Sequence, residues 1–86
     1  MDVDVDVIRT RVKECIQKVT GIEAATISDS AAYVEDLDLD SLSILEISVS
    51  VEESFKFHAT DEELSAIRNV EDTVALVMRR ACVEVA

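Results

Sequence analysis

The chain of 86 residues has no proline, a single glycine and no repeat or low-complexity stretch. Nothing marks a linker that would divide it, and residues 1–86 are expected to form one domain with one core. Basic residues are also scarce, 8 against 19 acids, for a net charge of −11. Nucleic acid and anionic membrane surfaces recruit basic patches and would repel such a chain, so neither is expected as a partner. Cys15 and Cys82 are the only cysteines, and they form neither a C-x-x-C nor a Cys/His ligand pattern. Two widely spaced thiols without a signal-like segment point to a reducing, cytoplasmic setting, with both side chains at least partly buried. No apolar run approaches the length of a membrane span. His58 has no ligand cluster around it.

What is present is a large apolar fraction, 49%, enough for a packed core in spite of the charge. The acids are also unevenly placed. From Val19 to Phe55 there is no Lys or Arg, while Glu23, Asp29, Glu35, Asp36, Asp38, Asp40, Glu46, Glu52 and Glu53 all fall there. An acidic surface can serve solubility alone, but one continuous negative region is the pattern expected of a docking surface for basic proteins.

Four helices are expected. Val5, Ile8, Val12, Cys15, Ile16 and Val19 keep helical spacing, which predicts a first helix over about 4–19 and overrides the strand-like alternation of residues 2–7. Early aspartates suit its positive end, and Gly21 suits a left-handed stop. Residues 22–40 lack periodicity and read as a long loop, pinned by Ile22, Ile27, Tyr33, Val34, Leu37 and Leu39. A second helix should start at Asp40 or Ser41, with Asp40 as N-cap, and run to about Phe55. Thr60-Asp61-Glu62-Glu63 is a capping box opening a short third helix to about Ile67. Asn69 caps a fourth, with Val70, Val74, Val77, Met78 and Ala81 inward and Arg79 and Arg80 near its negative end. The fold class is an all-α four-helix bundle with a long first connection.

The second helix carries two apolar stripes. Ile44, Ile47, Val51 and Phe55 make a core face, while Leu42, Leu45 and Val49 make another, rotated from it. That second stripe is either buried on its own side or an exposed strip beside the acids, the composition of a docking site. Three chemical readings fail. Asp36-x-Asp38-x-Asp40 starts like a calcium loop but has Ser41 at the glycine position and Ile47 at the bidentate position; Asp2-x-Asp4-x-Asp6 fails likewise. Ser41 lacks the flanking glycines and the base of a hydrolase nucleophile. No glycine-rich phosphate loop is present.

Asp40-Ser41-Leu42 at a helix start, after Tyr33-Val34-Glu35-Asp36-Leu37, resembles the acyl carrier protein family. The likeness continues through Leu45-Glu46-Ile47, Val51-Glu52-Glu53-Ser54-Phe55 and Thr60-Asp61-Glu62-Glu63. The resemblance implies that a phosphopantetheinyl transferase joins 4′-phosphopantetheine from coenzyme A to Ser41, so that the chain carries acyl groups as thioesters and supplies no catalytic group itself. It further implies a monomer that serves acyl-transfer, ligase or synthase enzymes of fatty-acid, related lipid or polyketide synthesis. A phosphodiester at Ser41 would meet free first-turn amides and the positive helix end. Docking is expected on Asp36, Asp38, Asp40, Leu42, Leu45, Glu46, Val49 and Glu53. The family commonly has glycine three residues before the serine and a small residue after that; here they are Asp38 and Leu39, so Asp38 must manage the local backbone, which aspartate tolerates better than most residues. An aminoacyl or peptidyl carrier, or an unmodified acidic adaptor, stays open as an alternative.

Overall fold

Apolar residues at three- and four-residue intervals set the first helix, α1 (Val5–Thr20), whose Ile8, Val12, Cys15 and Ile16 are all buried. The computed structural model describes the backbone of residues 5–85 and the side chains of residues 5–80. Half of the Asp–Val alternation, residues 2–4, therefore lies outside the described residues, as do the side chains of Ala81 and Cys82; Val5, Asp6 and Val7 are helical. Gly21 stops α1 with φ 83°, its amide hydrogen returning to the Gln17 carbonyl at 2.8 Å.

The remaining helices are α2 (Ser41–Phe55), α3 (Asp61–Ala66) and α4 (Val70–Val85). α3 opens with the full capping box, Glu63 N–H to Thr60 Oγ1 at 3.1 Å and Thr60 N–H to Glu63 Oε1 at 2.9 Å. Asn69 Oδ1 caps α4 by accepting the Asp72 amide hydrogen at 2.7 Å. α4 runs on to Val85, so Arg79 and Arg80, expected near its negative end, are not in its last turn. They face α3 instead, both within 3.5 Å of the Glu63 carboxylate.

α1 packs against both α2 and α4, and α3 lies at the edge with none of its residues buried. The connection between α1 and α2 holds one 3₁₀ turn, Ala24–Thr26, and is otherwise irregular but tied down. Ala31 and Tyr33 straddle an isolated bridge to Asn69: Val70 N–H bonds Ala31 O, and Tyr33 N–H bonds Arg68 O, each at 3.0 Å. Ile27 and Tyr33 are buried, and Ile22, Leu37 and Leu39 pack on the core. Val34 does not pin the loop. It is 58% exposed, because Tyr33 takes the inward position and the chain turns at once through Asp36 N–H to Ala32 O, 2.9 Å.

Candidate functional site

Ser41 is the first residue of α2 and is exposed. Its position is set from both sides. Asp40 is extended, and its Oδ1 accepts the Ser43 amide hydrogen at 2.8 Å. That bond, first among its causes, holds the Asp40 carboxyl below the ordinary carboxylate range. It also corrects the expectation of free first-turn amides: the Ser43 amide is taken by Asp40, whose own charge already occupies the positive helix end.

Upstream, Asp38 has φ 55°, the left-handed conformation for which glycine is the usual residue. Leu39 N–H bonds Tyr33 O at 2.9 Å, and Asp36 Oδ2 accepts the Ala32 amide hydrogen at 2.8 Å. Asp36 and Asp40 thus fold the segment around Ser41 while remaining exposed, as do Asp38, Glu46 and Glu53.

The negative region is narrower than the run of acids in the sequence. Asp29 lies 2.6 Å from Lys13 Nζ and 3.8 Å from Arg9 Nε on α1, and the Lys13 hydrogen bond is the main reason its carboxyl is depressed. The largely covered Glu52 side chain accepts the Ala59 amide hydrogen at 2.6 Å and stands 3.6 Å from His58 Nδ1. What remains exposed are the carboxylates of Asp36, Asp38 and Asp40 before Ser41 and of Glu46 and Glu53 along α2.

The two stripes of α2 separate as the spacing predicts. Ile47 and Val51 are buried and Ile44 and Phe55 half-buried, whereas Leu42, Leu45 and Val49 are 63%, 49% and 43% exposed. Ile44 is only half-buried because it also borders an open groove of about 610 Å³ between α2 and α3. Ser41 stands at that groove, which is lined by Leu42, Ile44, Leu45, Leu64 and Ile67 among others. Sequence reasoning missed this groove. Its signal was that Leu64 and Ile67, the apolar residues of the short third helix and its cap, need a surface to face.

Residues 35–48 hold no Lys, Arg, His or Cys; their ionisable side chains are all carboxylates, of which Asp36 and Asp40 already accept backbone amide hydrogens. Among the described residues no three His, Cys, Asp or Glu are grouped to hold a metal ion. None of the described helices is long and apolar enough to cross a membrane. The arrangement presents a primary hydroxyl at a helix start, beside an apolar groove and just after the exposed carboxylates of Asp36, Asp38 and Asp40.

The family described as "Phosphopantetheine attachment site" matches residues 10–77, which covers all of α2 and α3. Over 79 residues the chain is 39% identical to the meromycolate extension acyl carrier protein of Mycobacterium tuberculosis, spanning 92% of this chain and 69% of that protein. It is 38% identical over 66 residues to an acyl carrier protein of Rhodococcus erythropolis, 77% of this chain and 72% of that protein. An acyl carrier protein of Thermobifida fusca matches at 32% over 66 residues, 77% of this chain and 84% of that protein.

Proposed function

Since the chain belongs to the phosphopantetheine-attachment family of acyl carrier proteins, we propose that Ser41 is the residue that carries its 4′-phosphopantetheine arm. The observation that carries this reading is the exposure of Ser41 on the first residue of α2, with the segment before it fixed by Asp36, Asp38 and Asp40. Ser43 is half-buried, and Ser48 is 4% exposed with its hydroxyl donating to the Ile44 carbonyl at 2.9 Å, so neither offers an equivalent hydroxyl.

The residues present fit such an arm. Ser41 is exposed, and the groove beside it can shield an apolar chain from water. When bound, phosphopantetheine supplies a terminal thiol that holds acyl groups as thioesters. The chain's own part is to present Ser41, to line the groove with Leu42, Ile44, Leu45, Leu64 and Ile67, and to offer a docking face. Leu42, Leu45 and Val49 supply short-range apolar contact there, and Asp36, Asp38, Asp40, Glu46 and Glu53 attract basic partners. Ser41 and Val49 are eight residues apart on one helix, about 12 Å along its axis, so a partner seated on the stripe has the attachment point within its reach.

Those partners are a phosphopantetheinyl transferase and the acyl-transfer, ligase or synthase enzymes of fatty-acid, related lipid or polyketide synthesis, which do the chemistry. Residues 1–86 act as one monomeric, cytoplasmic carrier unit. Incubation with coenzyme A and a broad-specificity transferase should add one phosphopantetheine to the wild type and none to Ser41→Ala, read by intact mass. Modification at Ser43 or Ser48 would overturn the assignment to Ser41, and no modification with any transferase would favour an unmodified acidic adaptor that binds through the same face.

A further inference from the structure

Tyr33 is 0% exposed, and its polar groups tie three parts of the fold together. Its amide hydrogen reaches the Arg68 carbonyl just before α4, at 3.0 Å, and its carbonyl accepts from Leu39, two residues before Ser41, at 2.9 Å. Its hydroxyl bonds Thr73 of α4, itself 1% exposed. Thr73 Oγ1 donates to the Asn69 carbonyl at 3.2 Å, which leaves Tyr33 as the donor to Thr73. A phenylalanine would fill the same space with no polar group to satisfy, and neither hydroxyl has a part in carrying an arm.

The segment downstream needs such an anchor. Asp38 is held at φ 55°, which costs an ordinary side chain on the order of 1 kcal/mol and persists only where the surroundings over-determine it. Set free, Asp38 would relax to negative φ, and Leu39 and the Asp40 cap would move with it. We propose that Tyr33, held through Thr73, is a positioning residue for Ser41: the buried hydroxyl pair fixes the Asp36–Asp40 segment on α4, so that Ser41 meets its transferase already ordered. This rests on Ser41 being the attachment site. An unordered segment must be ordered on binding, which lowers the fraction of carrier competent to bind and leaves the reaction within the complex untouched.

The test measures KM for the carrier, kcat and amide exchange in the Tyr33→Phe, Thr73→Val, Thr73→Ser and Ile16→Val variants. Tyr33→Phe keeps the ring, and Thr73 keeps Asn69 as a partner, so the fold should survive. It and Thr73→Val should raise KM about five-fold, the ratio equivalent to one net hydrogen bond, with kcat unchanged. Exchange at the Leu39 amide should quicken by more than that at Val12 and Val51, which report global stability. Thr73→Ser restores the hydroxyl and should react like the wild type. Ile16→Val, which lowers stability to a similar degree from α1, should also keep the wild-type KM. Wild-type KM in Tyr33→Phe, or an equal rise in Ile16→Val, overturns the proposal. Failure of the wild type to be modified overturns the Ser41 reading itself, and this inference with it.

Discussion

Glu63 of α3 and Arg80 of α4 stand 3.4 Å apart, and the same Glu63 carboxylate accepts the Thr60 amide hydrogen at 2.9 Å. Arg80 also donates to the His58 carbonyl at 2.9 Å, so it braces both α3 and the segment that leads into it. α3 is six residues long with none buried, far below the length at which a helix holds by itself. Since Leu64 and Ile67 form one side of the groove, the Glu63–Arg80 contact bears on the site although it is remote from Ser41.

Glu63→Ala should therefore loosen α3 selectively. Amide exchange should rise through Asp61–Ala66, while helical content from α1, α2 and α4 is kept. Acid should do the same to the wild type. The Glu63 carboxyl is depressed first by the Thr60 amide hydrogen and then by Arg80 and Arg79, so its contribution is full above the ordinary value of 4.5 and is lost as pH falls through the lower folded value. Amide shifts of Leu64 and Ser65 followed into that range should move in the wild type and stay nearly flat in Glu63→Ala.

Two side chains occupy left-handed backbone, Asp38 at φ 55° and Lys56 at φ 58°. Lys56 closes α2, its amide hydrogen and that of Phe57 both reaching the Glu52 carbonyl. Lys56→Gly removes the Cβ strain without touching the core and should raise stability by about 0.5–1 kcal/mol in a denaturant titration. Asp38→Gly should gain less, since aspartate tolerates left-handed backbone better than lysine and has less strain to relieve. Asp38→Val should lose about 1–2 kcal/mol, because a β-branched residue resists positive φ more than aspartate does.

The parts of this fold that are local in origin are legible in the sequence. Asp40, Thr60 with Glu63, Asn69 and Gly21 each mark a helix boundary within a few residues, and all fall where expected. The two stripes of α2 follow from spacing alone. What escapes is non-local or lacks a residue signature. Lys56 ends α2 in a conformation that no glycine announces. Asp29 and Glu52 read as surface charge until α1 brings Lys13 to the first and the turn at Ala59 folds onto the second. Arg79 and Arg80 suit a helix end by charge but are taken up by Glu63, sixteen residues before Arg79. Thr73 looks like a surface residue within α4 until Tyr33, forty positions away, is placed on it.

Tyr33 should be silent to alkali until the protein unfolds. Burial, the largest cause, pushes its pKa from 10.0 up to about 12. A raised phenol pKa means that the folded state keeps its proton longer, so this contribution is full below 10.0 and declines as pH rises towards about 12. Tyr33 is the only tyrosine, so phenolate absorbance reports it alone. That absorbance should appear in step with loss of helix rather than ahead of it, and Tyr33→Phe should lose less stability over the same range.

The docking face can be divided into its charge and its apolar stripe. Glu46 and Val49 are both exposed on α2, one an acid and the other 43% exposed and apolar. Long-range attraction acts on encounter and is screened by salt, whereas apolar contact acts on departure and is not. Glu46→Lys should slow modification by a basic transferase at low salt, and the deficit should shrink as salt is added. Val49→Ala should slow it with little salt dependence while changing stability by no more than roughly 0.5 kcal/mol, since an exposed side chain loses little packing. A stability loss above about 1 kcal/mol would place Val49 in the core. The stripe would then end at Leu45, and docking would rest on the carboxylates around Ser41.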